Sequence, residues 1–466
     1  MAMYGTRPMP RFSDGLMFRT MPWALVAVAA LTGCATAPVE PRAANPGVAA
    51  VDVRRAPASM RALNDIAAAY LRLTLEIGTH EDGYIDAYYG PADLRRAAEA
   101  APRDKAALLA ATRDLMATLD GAARRLSDPL QRRRAAFLRA QLRAADTRLQ
   151  MMQGVRLAFA DEAEGLFGVR PQLKPLASYD AELARIDALV PGEGPLAARV
   201  EAYLDRFTIP KHRLQKTFDA AIARCRGRSM AHIAMPAGET FRLEFVTGKS
   251  WSGYNYYQGG YHSLIQVNTD LPIRLSRALD LGCHEGYPGH HLLNMKLEEK
   301  LVKGRGWAEF SAYPLYSPQS LIAEGSANYG IDLAFPGASK AETERDILMP
   351  IAEIAVPADD RYWQLLTAIK RAAGARLTIA QQYLDGAIDR PTAVALTQKY
   401  LLVSPQRAEQ SIAFTDQYRS YVINYGLGEA MVRAHVERGK PTREQMWQRM
   451  EKLVSEPTLP ADLLAK

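Results

Sequence analysis

The string His284-Glu285-Gly286-Tyr287-Pro288-Gly289-His290-His291 constrains this chain more than any other part of it. A helix-borne zinc motif sets two histidines about one turn apart on one face, with a Glu beside the metal-bound water. Here six residues separate His290 from His284. Six residues of ideal helix rotate about 600°, which leaves the second imidazole about 120° away and about 9 Å along the axis. An unbroken helix would not deliver both to one metal. Pro288 removes a backbone donor and clashes with the preceding turn, at a cost of about 3 kcal/mol in a helix interior. The pattern therefore predicts a two-residue bulge at Pro288 and Gly289, with Gly289 at positive φ, that returns His290 to the place of the second ligand. His291 comes about 340° round an ideal helix but about 10.5 Å along it, so it is the rival ligand.

A catalytic zinc keeps three protein ligands and an open position. Downstream, Leu321-Ile322-Ala323-Glu324-Gly325-Ser326-Ala327-Asn328-Tyr329 places one carboxylate inside an otherwise apolar helical run. A lone acid there reads as a helix surface residue, but beside the histidine cluster Glu324 reads as the third ligand. Glu285, next to His284, is the candidate base. The metal expected on this reasoning is zinc, held by His284, His290 and Glu324.

The rest of the chain predicts a mainly α, multi-helical fold with one small antiparallel β element beside a zincin-like metal site. From Ser59 to about Arg228 the apolar residues recur with helical spacing between short breakers. Asp128 can cap a helix that Pro129 opens, with a periodic run to about Phe159. The texture changes at Pro236-Ala237-Gly238, and Phe241 to Val246 and His262 to Asn268 alternate in strand fashion around a Gly- and Tyr-rich stretch. This divides the chain into a helical region, 58–235, and a mainly helical catalytic region, 236–466. Arg132, Arg133, Arg134, Arg139, Arg143 and Arg148 lie in a helical pattern whose core face is Phe137, Leu138, Leu142 and Leu149, and they read as a solvated helix face. Although the formal charge is +7, no aromatic platform is interleaved with these cations, so nucleic acid is not an expected partner.

The N-terminus reads as an address. Arg7, Arg11 and Arg19 precede an apolar run from Trp23 to Leu31, which is shorter than the about 20 residues a bilayer span needs. The run closes on Leu31-Thr32-Gly33-Cys34, which looks like a bacterial lipobox. Residues 1–33 are then a lipoprotein signal peptide, Cys34 the lipidated first residue, and the Pro- and Ala-rich residues 34–57 a flexible tether. This places the chain in the cell envelope, anchored to a membrane through its N-terminal lipid. With a small residue at Ala35, it would face the periplasm from the outer membrane of a Gram-negative cell. The chain's three cysteines exclude a disulfide scaffold, while Cys225 and Cys283 could pair.

Tyr254-Asn255-Tyr256-Tyr257, Val267-Asn268-Thr269-Asp270, the histidine string and Glu324-Gly325 together resemble family 885 of the domains of unknown function. The resemblance covers about residues 59 to 455. Members are often secreted or lipid-anchored and are regarded as relatives of the gluzincins, zinc metallopeptidases whose third ligand is Glu. It implies their fold and metal site, and the Gly-His pair that carries the second ligand in related helical peptidases supports His290 over His291. Ser326 departs from the pattern, since many members carry Trp there.

The activity expected is hydrolysis of a peptide substrate, with Glu285 accepting the proton of the attacking water; the alternatives are a non-catalytic peptide- or protein-binding lipoprotein with a structural metal, and a metal-dependent amidase on a non-peptide or cell-wall substrate. An oxyanion donor is also needed. Tyr418, Tyr421 and Tyr425 recur on one face of a helix that would end at Gly426-Leu427-Gly428, and Tyr425 and then Tyr421 are the candidate donors. Tyr257 and His262 border a predicted edge strand that could pair with an extended peptide. Arg419 is a weak candidate for holding a substrate carboxylate. Cys283 lacks identifiable partners for a nucleophile's role.

Overall fold

The helical periodicity of the sequence becomes helix in the computed structural model, which describes residues 58–249 and 251–464. The signal segment, Cys34 and the tether lie outside the described residues. The first helix (α1, Ala58–Gly78) buries Leu63, Ile66, Tyr70, Leu73 and Ile77, a stripe at three- and four-residue spacing. A short strand (β1, Ile85–Tyr88) follows. A later long helix (α2, Pro129–Met152) starts as its sequence predicts, with the Asp128 carboxylate accepting from Gln131 N at 2.7 Å. It stops at Met152, short of Phe159, which instead opens a separate helix (α3, Phe159–Phe167).

The arginines of α2 correct the solvated-face reading. Arg134 is 2% exposed and grips Glu309 with two hydrogen bonds of 2.5 and 3.0 Å, while its guanidinium lies 4.7 Å from the Trp307 ring. Arg148 is also buried, paired with Glu81 at 2.9 Å and set 3.8 Å over the Tyr316 ring. Acids and aromatics remote in sequence receive these two cations, and nothing in the helical periodicity could reveal them. Arg139 and Arg143 do stay at the surface, paired with Asp120 and Glu164.

A further helix (α4, Leu214–Met230) leads into a three-stranded sheet of β2 (Thr240–Val246), β3 (Gly253–Gly259) and β4 (His262–Asn268). The strand order is β2-β4-β3. The two strands expected from alternation, β2 and β4, pair in parallel, Thr240 opposite His262, and the antiparallel partner of β4 is β3, which forms in the Gly- and Tyr-rich stretch between them. The chain crosses to the far edge to lay down β3 before it returns through the centre. A second, antiparallel pair joins β1 to β5 (Ala312–Pro314).

Two short helices, α5 (Leu275–Leu281) and α6 (His290–Leu297), flank the histidine string. The helix α7 (Pro318–Ala334) carries Glu324 and is buried over most of its length. Farther on come α8 (Ala375–Leu384), α9 (Pro405–Tyr418) and α10 (Ile423–Val436). Tyr418, Tyr421 and Tyr425 do not share one helix, because α9 ends at Tyr418, a 3-10 turn spans Arg419–Val422 and α10 begins at Ile423. Nor does Gly426-Leu427-Gly428 end a helix. It lies inside α10, and a Cβ added at Gly325 of α7 would stand 2.6 Å from the backbone of Gly428, so these glycines let the two helices touch. One apolar core runs from Leu63 to Leu463, shared by the regions before and after residue 236. A disulfide joins Cys225 of α4 to Cys283, with Cα atoms 5.3 Å apart. Among the described residues no helix is long and apolar enough to cross a membrane.

Candidate metal centre

Between α5 and α6 the chain changes winding twice. After Leu281 the residues Gly282–Gly286 form a π turn, Tyr287 is extended and the Tyr287–Pro288 peptide is cis. The predicted bulge is therefore present, but Gly289 is not at positive φ; its φ is −85°. Glycine is needed there for a different reason: a Cβ would stand 1.7 Å from the carbonyl oxygen of His284. Gly289 N donates to Cys283 O at 3.1 Å, and the helix resumes at His290. The outcome is that Nε2 of His284 and Nε2 of His290 face each other 3.1 Å apart.

Glu324 enters from α7. Its Oε2 is 3.1 Å from His284 Nε2 and 3.7 Å from His290 Nε2, while its Oε1 accepts from the Tyr421 hydroxyl at 2.7 Å. Burial alone would raise the Glu324 carboxyl, but the imidazoles of His290 and His284 outweigh burial and hold it well below the usual carboxylate range. On its far side His284 Nδ1 lies 3.0 Å from Asn328 Oδ1. The Asn328 amide is oriented by a 3.4 Å bond from its Nδ2 to the Tyr425 carbonyl. With an ion bound, Asn328 would favour the proton on Nδ1 and leave the Nε2 lone pair for the metal, the tautomer a metal-ligating histidine needs.

This donor set fits a zinc-type ion. Two imidazole nitrogens and one carboxylate oxygen lie within 4.8 Å of one another, and Glu324 Oε2 is buried with no hydrogen-bond donor. An orphaned carboxylate oxygen beside two converging nitrogens is costly without a cation between them. Glu285 is 4% exposed, and its carboxyl is pushed up to about 7 by burial and by the Glu324 and Asp86 carboxylates, partly offset by His290. Asn255 of β3 holds the Glu285 carbonyl at 2.6 Å, and Tyr254 donates to the Asp86 carbonyl at 3.0 Å. The sheet thus fixes both the histidine string and β1. Asp86 itself is raised to about 6, mainly by burial, with His290 pulling the other way.

The remaining predicted residues separate. His291 is fully buried, with Nδ1 2.7 Å from the Ser263 hydroxyl and Nε2 3.2 Å from Glu239 Oε2, so both ring nitrogens are engaged away from Glu324. Tyr421 is committed to Glu324, which makes it a positioning residue rather than a free donor. The Tyr425 ring stacks 6.4 Å from His284, and its hydroxyl has no hydrogen-bond partner among the described residues. Arg419 does not face the centre's ligands; its Nε donates to buried Glu162 at 2.7 Å, and Ser420 binds the same carboxylate. Tyr257 lies on an edge strand, but it is buried and donates to Glu298 at 2.5 Å. His262 starts the central strand and is exposed. His262 therefore does not border a strand edge. Cys283 is spent in the disulfide, and Ser326 is buried with its hydroxyl on the Ala323 carbonyl at 3.1 Å. Asn328 and Asp86 went unassigned in the sequence. Asn328 stands one turn after Glu324 on the same helix, a spacing that could have flagged it, whereas nothing local marks Asp86.

No family model and no curated protein matches this chain. Among solved structures it is similar to a candidate lipoprotein from Colwellia psychrerythraea, with TM-score 0.48 and 12% identity over 77% of this chain and 68% of that one. It is also similar to an M32 carboxypeptidase from Deinococcus radiodurans R1, with TM-score 0.36 and 14% identity over 87% of this chain and 93% of that one. At these scores the likenesses carry no functional argument.

Proposed function

We propose that this protein is a zinc-dependent peptidase, lipid-anchored through Cys34 in the cell envelope, that hydrolyses peptide bonds outside the cytoplasm. The observation that supports this reading is the convergence of His284, His290 and Glu324 within 4.8 Å, with buried Glu285 adjacent in the chain. His284, His290 and Glu324 would hold the ion. Zinc in that place supplies Lewis acidity toward the scissile carbonyl and the attacking water.

The protein's own residues account for the rest. Glu285 accepts a proton from the attacking water as its oxygen bonds to the carbonyl carbon, and returns that proton to the amine as the C–N bond breaks. Asn328 holds His284 by Nδ1, and Tyr421 holds Glu324 by Oε1, each at the atom not turned toward the other two ligands. Burial, then Glu324, pushes the Tyr425 phenol well above its ordinary value, so it stays protonated and can donate to the oxyanion. Glu285→Gln is expected to retain zinc and to lower peptide turnover by at least about 100-fold. A Glu285→Gln protein that turns over peptide at the rate of the unaltered chain removes the proposal.

A further inference from the structure

Arg376, near the start of α8, is a cation without a counter-ion. Its Nε is shut off from solvent and has no hydrogen-bond acceptor, and no carboxylate pairs with it among the described residues. Its neighbour is aromatic: the guanidinium carbon lies 5.3 Å from the centre of the Phe414 ring. Burial pushes its pKa down, and the one ionisable group that acts against this is Tyr425. Other well-covered arginines of the fold have acids, Arg134 with Glu309, Arg148 with Glu81 and Arg274 with Glu201. A half-buried charge whose Nε has no acceptor is unfavourable unless a ligand brings the partner.

Its position tells which ligand. Phe414 lies 6.2 Å from Tyr425, and Tyr425 lies 6.4 Å from His284. Besides burial, the Tyr425 phenol feels the carboxylates of Glu324 and Glu285 together with the cation of Arg376. Tyr425 thus neighbours both the candidate metal centre and the guanidinium. We infer that Arg376 binds the free C-terminal carboxylate of a peptide whose last peptide bond lies at the centre, which makes the enzyme a carboxypeptidase. This rests on the peptidase reading above. Water adds across the last C–N bond, its oxygen going to the carbonyl carbon and a proton to the nitrogen, and the C-terminal amino acid leaves with its carboxylate on Arg376. A planar guanidinium can hold a carboxylate with two parallel hydrogen bonds, which an amide cannot reproduce.

The test uses N-acetylated tripeptides that vary in the last residue, each made as the free acid and as the C-terminal amide. With the zinc-loaded full chain, the acids are expected to release their last amino acid with kcat/KM on the order of 100-fold above amide cleavage. Arg376→Met is expected to bring the acids down to the level of the amides, chiefly through KM, and Arg376→Lys to keep part of the preference. A calorimetric arm measures binding to Glu285→Gln, where acids are expected to bind on the order of 100-fold tighter than amides. That difference is expected to vanish when Arg376→Met is added. Equal cleavage of acids and amides by the unaltered chain, or a folded Arg376→Met protein that still prefers acids, overturns the assignment. Should Arg376→Met not fold, undiminished acid preference in Arg376→Lys together with equal binding of acid and amide overturns it. Absence of all peptide cleavage instead removes the peptidase reading, and the binding arm then decides on the carboxylate site alone.

Discussion

At the scale of single residues, the candidate metal centre is held in place by side chains outside its three candidate ligands. Asn328 fixes the tautomer of His284 through a 3.0 Å contact, so Asn328→Leu is expected to weaken zinc affinity about 10- to 100-fold in competition with a chelator. Unchanged affinity would show that Asn328 is a bystander. Glu239 supports the neighbouring turn by contacting Arg226 at 2.6 Å, His291 at 3.2 Å and the Tyr287 hydroxyl. Burial alone would raise its carboxyl, yet His291, Tyr287 and Arg226 bring it from 4.5 down to about 2. Because the folded value is the lower one, its contribution to stability is complete above the unfolded value near 4.5 and is lost as pH falls toward about 2. The Tm gap between the unaltered chain and Glu239→Gln is therefore expected to be widest near neutrality and to close in that acid window. A gap that widens on acidification contradicts this sign. His284, Glu285, His290 and Glu324 were legible in the sequence because their types and local setting are themselves a signal. Arg376 was not, since an arginine declares itself unpaired only once its surroundings are known.

At the scale of elements, two contacts shape the site. The interrupted α5–α6 segment was legible in outline, since Pro288 within a helical string forces a break. The reason for Gly289 was not, because the close approach of the His284 carbonyl depends on the path the chain takes around that break. The junction of α7 and α10 was misread for a similar reason. Glycine pairs usually mark helix ends in a sequence, and here they mark a helix crossing. Gly325→Ala places a Cβ 2.6 Å from the Gly428 backbone, which must push α10 off the helix that carries Glu324. The expected loss is about 1–3 kcal/mol in urea unfolding. An unchanged midpoint and slope would mean that the two helices do not pack this closely.

At the scale of the whole molecule, helices from both regions close over one core, and the residues around the candidate metal centre come from β1, the α5–α6 turn, α7 and α10. The mainly helical class was legible from periodicity. The parallel pairing of β2 with β4 and the burial of Arg134 were not, because both depend on contacts between segments far apart in the chain. Arg134→Met leaves Glu309 buried without its partner and is expected to cost about 3–5 kcal/mol of global stability; a smaller loss, below about 1 kcal/mol, would place that pair at the surface. The central claim remains that His284, His290 and Glu324 form one metal centre. Its most direct test is the zinc-to-protein ratio of the full-length chain, purified without added metal or a histidine tag, beside His290→Ala and His291→Ala. The account predicts about one zinc per chain, kept in His291→Ala and lost in His290→Ala. A chain that neither carries zinc nor takes it up, or a ratio that collapses only in His291→Ala, would contradict it.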